Sequence, residues 1–292
     1  MRARVFLRFG ASMPDTVCHR HATLAGTVAE RKNPLDEPAG RCESRAMSAH
    51  EHTRAAWEDA SQKHVREYVE HLEMARTWRL LPVEESVLGP LLPGAEVLHP
   101  QSGHGLDDHA LLRLGAASVH GLDYSPTAVE AAQRRADELG VPCRYQLAEL
   151  PRTGLADGTV DLVYTGKGAL IWLEDLHGWA QEMRRLLRPG GHLFVLEAHP
   201  LVPLWAWDAD EARVREDRSY FAASHLNDTF PSRGATEHQR TLAEIVMTVQ
   251  GAGFELLHLA EHPEPFWQPE GEDPAAWDGR LPNTISLLAR RS

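Results

Sequence analysis

Residues 96–123 read EVLHPQSGHGLDDHALLRLGAASVHGLD, and the order of residue types in this stretch decides the fold. Glu96–His99 is a short apolar run, Asp107–Leu114 has helical character, and Ser118–Asp123 is strand-like again. Gly103 and Gly105 flank a tight turn between the first strand and the helix, where backbone has to come close to whatever it faces. A strand, a glycine turn, a helix and a second strand make a βαβ unit, whose two strands run parallel with a right-handed crossover.

The same alternation continues on both sides. A helix is expected from about Pro126 to Leu139, strands at Cys143–Ala148 and Val160–Thr165, and a helix from about Leu173 to Leu187 that stops at Pro189-Gly190-Gly191. His192–Glu197 is the next strand. Upstream, Ala55–Trp78 reads as one helix, with Trp57, Ala60, His64, Tyr68, His71 and Leu72 at steps of three and four, and Pro82, Pro90 and Pro93 then punctuate the approach to the first strand. Residues 200–236 break the rhythm; they hold Trp205, Trp207, Tyr220 and Phe221 among many charges and are expected to form a cap or lid. A helix from about Thr236 to Gln250, a strand at Glu255–Leu259 and a last strand at about Asn283–Ala289 complete the pattern. The expected class is α/β, a Rossmann-like, mostly parallel sheet with helices on both faces and a small cap insertion.

Composition bounds the function. The 292 residues carry 30 Lys+Arg against 42 Asp+Glu, a formal charge of −12, with 42% hydrophobic residues. That excess of acid disfavours nucleic acid and anionic membrane as partners, and no apolar run approaches the roughly 20 residues of a membrane span. The three cysteines, Cys18, Cys42 and Cys143, form no CxxC and fit a cytoplasmic protein without disulfides. Residues 1–46, with eight Lys/Arg and five acids but no sustained periodicity, lack the apolar segment of a secretory signal; they are expected to be a disordered extension or a misassigned start, with the folded domain at 47–292. The 17 histidines offer no HExxH. His99, His104 and His109 recur at five, and His258 and His262 have a spacing that gathers ligands only on a helix, so no metal is expected.

In an open parallel sheet the ligand sits at the carboxyl ends of the strands. The first such end is the Gly103/Gly105 turn; the second is Asp123, 18 residues past Gly105, where one carboxylate can accept from both ribose hydroxyls. The third, Ala148-Glu149-Leu150, offers apolar flanks for an adenine. The pattern asks for an adenosine-containing cofactor. A dinucleotide fingerprint would place glycine where Asp108 stands, and Asp107 and Asp108 at the helix start would repel a pyrophosphate but tolerate an ammonium and a sulfonium. S-adenosyl-L-methionine is therefore favoured over NAD.

The stretches RAAWEDASQKH, VLHPQSGHGLD, GLDYSPTAVEAA, DLVYTGKGALIWLEDLHGWA, LLRPGGHLFVLEAHPL and LAEIVMTVQGAGFELLHLAEH resemble class I S-adenosylmethionine-dependent methyltransferases of a bacterial small-molecule type, over about Arg54 to Arg291. The resemblance implies a seven-stranded sheet of order 3-2-1-4-5-7-6 with the last strand antiparallel, S-adenosyl-L-methionine as cofactor and no metal. It implies that Gln101, Ser102, Gly103 and Gly105 line the methionyl part, with Asp123 on the ribose, Tyr124 and Ser125 beside the adenosine, and Glu149 and Leu150 beside the adenine. Thr165, Gly166 and Lys167 would follow strand four near the sulfonium, and Trp57 and His64 would close over the cofactor. The chain departs from the superfamily in carrying His99 where an acid and Gln101 where the first glycine is usual.

At the end of strand five, Glu197 and His199 are candidates for a base or an acceptor anchor. Tyr220, Phe221 and His225 in the cap, and His238 and Arg240 after it, are candidates for the acceptor site; the family pattern places Trp and then His at the last two positions, so a different acceptor is expected. Small-molecule methylation, with secondary metabolism as one setting, leads. A nicotinamide-dependent oxidoreductase and a non-catalytic S-adenosylmethionine binder are the alternatives.

Overall fold

In a computed structural model the described residues are 47–205, 213–231, 234–266 and 280–292. The extension 1–46, Trp207 and residues 267–279 of the Pro/Trp-rich stretch lie outside them.

Why the sheet forms is plain in its strands. β1 (Glu96–Pro100), β2 (Ser118–Asp123), β4 (Val160–Gly166) and β5 (Leu187–Ala198) are apolar at successive positions, as strands covered on both faces must be. In β1, β4 and β5, Val97, Leu162 and Phe194 point to one face, and Leu98, Val163 and Val195 to the other. The first face is covered by α3 (Pro82–Leu88) and α4 (Leu106–Arg113) through Leu88, Ala110 and Leu111. The second is covered by α6 (Leu176–Leu186) and α7 (Leu242–Gly251), with Trp179, Met183, Ile245 and Val249 buried in it.

The sheet order is β3-β2-β1-β4-β5-β9-β8, where β3 is Cys143–Leu147, β8 Phe254–His262 and β9 Thr284–Arg291. Counting this sheet's strands alone, that is the expected 3-2-1-4-5-7-6, and β9 runs antiparallel to both its neighbours. β6 (His225–Leu226) and β7 (Thr236–Glu237) pair as a separate ribbon inside the cap. α5 (Pro126–Leu139) keeps its expected limits for local reasons: Ser125 caps it by accepting from Ala128 N–H, Pro126 opens it, and Gly140 closes it at φ +63°.

Several boundaries differ from expectation, among them α6, which begins at Leu176, and β8, which runs on to His262; three others have a clear local cause. The leading helix is two, α1 (Ala49–Arg66) and α2 (Tyr68–Thr77), although neither glycine nor proline stands between them. α1 packs on α5 and α2 on α4, so the two halves take different directions and a turn at Glu67 absorbs the change. α7 begins at Leu242, not Thr236, because Thr241 and Glu244 form a capping box there and Thr236–Glu237 pairs with His225–Leu226. β5 starts at Leu187, running through Pro189-Gly190-Gly191, with an irregular register against β4 between Val160 and Leu162. No helix among the described residues is long and apolar enough to cross a membrane.

Candidate active site

The carboxyl ends of β1, β2, β4 and β5 open into two adjoining cavities. The smaller, about 310 Å³, is walled by Asp123, Tyr124, Ala148, Glu149, Leu150 and Trp172. The larger, about 360 Å³, extends from the Gln101–Asp107 turn to the cap residues His225, Phe230 and Glu237. Gln101, Asp123, Tyr124 and Trp172 border both.

Asp123 organises the junction. Its Oδ2 accepts Gly103 N–H at 2.9 Å and its Oδ1 accepts Ser125 N–H at 2.9 Å, which ties the glycine turn to the end of β2. Each oxygen keeps a lone pair for a further donor. Burial raises this carboxyl above the usual aspartate value, against the pull of those two amides. Beside it, Gln101 Oε1 and Ser102 Oγ are buried without a partner, while Gln101 Nε2 donates to Ala169 O at 3.0 Å. Gln101 adopts φ +57°, unusual for a residue with a side chain, and a Cβ on Gly103 would meet open space.

These features fit S-adenosylmethionine. The orphan acceptor at Gln101 suits an ammonium, the hydroxyl of Ser102 a carboxylate, Asp123 a ribose diol, and Ala148, Leu150 and Tyr124 the flanks of an adenine. Glu149 at the rim is paired with His50 and, at 3.4 Å, with Arg54, so α1 latches over the smaller cavity. Trp57 and His64 of α1 line the larger one, Trp57 meeting Trp172 and Phe230 edge-on at 5.2 and 5.6 Å.

Several expected residues have other duties. Gly105, at φ +73°, is needed for packing: a Cβ there would fall 2.2 Å from Tyr145 Oη. Ser125 is buried as the α5 cap and donates to Glu58 at 2.5 Å, and Thr165 is buried inside β4; neither borders a cavity. Gly166 and Lys167 do border the larger cavity. Lys167 is not a solvated loop lysine but is buried, paired with Asp107 and lying 3.6 Å from Glu84. Burial opposes its charge, yet the two carboxylates outweigh burial and hold it above the ordinary lysine range.

Asp107 also accepts from Trp78 Nε1 at 2.8 Å, and Asp108 pairs with His99 Nδ1 at 2.6 Å. The acids at the α4 start are thus neutralised within the protein, which removes the charge argument that distinguished an ammonium from a pyrophosphate. Burial opposes a charge on His99, but Asp108 wins and raises it.

The candidates beyond β5 sort by their partners. Glu197 is fully buried and accepts from Leu170 and Ala198 N–H at 2.6 and 2.7 Å; burial pushes it up to about 7. His199 Nδ1 accepts from Leu201 N–H at 3.1 Å and Nε2 faces Glu261 at 2.8 Å, so both nitrogens are engaged and burial lowers it. Each walls the cavity; His199 keeps no free ring nitrogen to receive a proton, whereas Glu197, with one amide on each oxygen, keeps acceptor capacity as Asp123 does. Tyr220 and Phe221 do not reach the cavity: Tyr220 Oη accepts from Leu242 N–H, and Phe221 is 85% exposed. His238 and Arg240 border it but precede α7; His238 N–H donates to Ile171 O, and Arg240 Nη2 donates to Leu173 O and Glu174 O, which fixes the 3-10 turn Leu170–Trp172.

His225 stands apart. Its Nε2 lies 2.6 Å from Glu237 Oε2, whose other oxygen accepts from Asn227 Nδ2 at 2.7 Å, and both members of this pair face the cavity. Glu237, Trp172, Phe230 and His50 escaped the sequence reading. Trp172 lay within a stretch already singled out, whereas Glu237 is visible only once the ribbon of β6 and β7 brings it across from His225.

Comparison with known proteins agrees with this geometry. Residues 98–195 match a family model described as a methyltransferase domain. An S-adenosylmethionine-dependent methyltransferase from Mesorhizobium loti is 24% identical, with a TM-score of 0.58 over 72% of this chain and 96% of that one. One described as a putative enzyme of that kind, from Listeria monocytogenes, is 17% identical with a TM-score of 0.56 over 72% and 98%. Among curated proteins, a malonyl-[acyl-carrier protein] O-methyltransferase from Halorhodospira halophila is 33% identical over 44% of each chain. A ubiquinone biosynthesis O-methyltransferase from Cupriavidus pinatubonensis is 36% identical over 36% of this chain and 41% of its own. The chain spans less than half the length of these two curated relatives. Its fold is that of the class I S-adenosylmethionine-dependent methyltransferases. The match to the methyltransferase-domain model covers residues 98–195 of that fold.

Proposed function

We propose that this chain is an S-adenosylmethionine-dependent methyltransferase whose acceptor is a small, largely apolar molecule bearing a hydroxyl group. The observation that carries the reading is the pair of adjoining cavities that meet at Asp123 and Gln101, at the ends of β1 and β2. The smaller has the flanks and the carboxylate an adenosine needs; the larger, walled by Trp57, Trp172 and Phe230, suits a flat apolar acceptor. Oxygen as the receiving atom is supported by the His225–Glu237 pair and by the names of the Halorhodospira and Cupriavidus relatives. Residues 47–292 would form the catalytic unit, 200–236 its cap, and the cytoplasm its compartment, with secondary metabolism as one setting.

When bound, S-adenosylmethionine supplies a methyl carbon activated by its sulfonium. The protein has to align the acceptor with that carbon, exclude water and remove one proton. Gln101, Ser102, Gly103 and Asp123 would hold the cofactor, with Tyr124 and Leu150 at the base. Trp57 and Trp172, packed edge-on, would shut the cleft against water. His225 would take the acceptor's proton on Nδ1 while Glu237 fixes the ring through Nε2 and stabilises the imidazolium. Glu197 and His199 would shape the wall, and Lys167, held by Asp107, would keep the β4 turn in place.

Calorimetric titration with S-adenosylhomocysteine, with NAD as the control, tests the cofactor. Micromolar binding of the first alone is expected; binding of NAD alone would transfer the site to hydride chemistry. A screen of phenolic and aliphatic hydroxyl acceptors then tests the base. His225→Asn should lower kcat by about 100-fold or more, the usual size of a general-base contribution, and leave S-adenosylhomocysteine affinity unchanged. An unchanged kcat would remove His225 from the mechanism.

A further inference from the structure

His64 from α1, His71 from α2 and His104 from the turn after β1 come together beside that turn, each offering a ring nitrogen within 4.8 Å of the other two. Ring centroids stand 4.3 Å apart for His64 and His104, 4.9 Å for His71 and His104, and 5.4 Å for His64 and His71. Nδ1 of all three is buried without a hydrogen-bond partner. A buried polar atom left unpaired is costly, so three in one place ask for an occupant.

We propose that His64, His71 and His104 form a transition-metal site of the zinc type, with the three imidazoles as ligands and a fourth position for water. Tetrahedral zinc holds its nitrogens at about 2.0–2.1 Å, so ligand nitrogens stand roughly 3.4 Å from each other, and each ring has to move by under about 1 Å to close the site. The donor set selects the class of ion: imidazole suits zinc, copper, nickel or iron, whereas calcium and magnesium require oxygen ligands. A ring nitrogen that holds no proton offers its lone pair to a metal directly.

The surroundings both help and oppose. Glu67 Oε2 lies 3.7 Å from His71 Nε2, the carboxylate placement that orients a ligating histidine and leaves Nδ1 for the metal. Lys63 and Arg135 oppose a dication: Lys63 is 3.6 Å from the same Glu67, and Arg135 Nη1 donates to His104 O at 2.5 Å. Micromolar affinity is the expectation. Since His104 sits between Gly103 and Gly105 and both His64 and His104 border the larger cavity, a bound ion would clamp α1 and α2 to the turn that supports the methionyl end. The site stands on its own geometry and does not depend on which reaction the cleft performs.

The test uses the full chain without a purification tag, stripped by chelation and titrated with Zn²⁺ by calorimetry and with Co²⁺ by visible absorption. One ion per chain is expected, with the ligand-field bands of four-coordinate cobalt, three imidazoles at about 2.0 Å by X-ray absorption, and a Zn²⁺-dependent rise in Tm. His71→Ala, which borders neither cavity, should weaken binding at least 30-fold; His104→Gln should do the same and serves if His71→Ala does not fold. Removal of the other close histidines, His258→Ala with His262→Ala, both on Ser286 Oγ, should leave it unchanged. Absence of binding, retention in both ligand variants, or loss only in the His258/His262 variant would overturn the site.

Discussion

Asp123 and Glu197 are buried carboxylates at the ends of β2 and β5, and burial raises both above their ordinary values. Asp123 spends one lone pair of each oxygen on the backbone and faces both cavities with the rest. Asp123→Asn should weaken S-adenosylhomocysteine binding by about 1–3 kcal/mol, the value of a hydrogen bond to a charged group; calorimetry on the folded variant with unchanged affinity would sink the ribose role. Glu197, at about 7 against an ordinary 4.5, binds a proton in the folded state that the unfolded chain has already lost. Its contribution is therefore fully present below pH 4.5 and is lost as pH rises through about 7, by up to roughly 3 kcal/mol. Urea unfolding at pH 5 and pH 8 should show this loss in the wild type and less of it in Glu197→Gln. Of these residues Asp123 was legible, because its spacing from the glycine turn carries the chemistry. The state of Glu197 was not: it is set by the burial that tertiary packing imposes, against the pull of the Leu170 and Ala198 amides. The three clustered histidines were hidden for the same reason, since positions 64, 71 and 104 share no sequence spacing that a single element could bring to one point.

At the scale of elements, what is local was readable and what is relational was not. α5 and β2 kept their limits because their caps and alternation lie within their own residues. The turn at Glu67 arises because α1 and α2 answer to different partners, and the β6–β7 ribbon consists of pairs of residues too short to carry a period. The Thr241–Glu244 box that starts α7 stands in the sequence as TLAE, five residues beyond the expected start at Thr236. α6 carries the largest fully buried side chain among the described residues. Trp179, fully buried between the sheet and α7, has its apolar ring at the centre of one core, so Trp179→Ala should cost about 3–5 kcal/mol. Chemical denaturation giving under 1 kcal/mol would mean that the core collapses around the gap.

For the whole molecule, the charge of −12 and the sheet order follow directly from the chain, and both bear on behaviour beyond the cleft. The acidic balance predicts no retention on a heparin column and no mobility shift with duplex DNA at physiological salt; binding to either would force a search for a basic face. The position of β9 has a further consequence, for the time course of folding. Five parallel strands are joined by short crossovers and can assemble in sequence, but β5 finds its second neighbour only when residues 284–291 return from about ninety positions downstream. Pairings of that separation are slow to form. In the interval β5 offers a long apolar strand with one bare edge, which is the geometry that recruits other chains. Pulse-labelled hydrogen exchange should find the amides of β9 protected after those of β1 and β4, and refolding yield should fall with protein concentration in that window. The hairpin of β8 and β9 is then a late-arriving seal, and the interval before it docks is when the nascent protein most needs a chaperone.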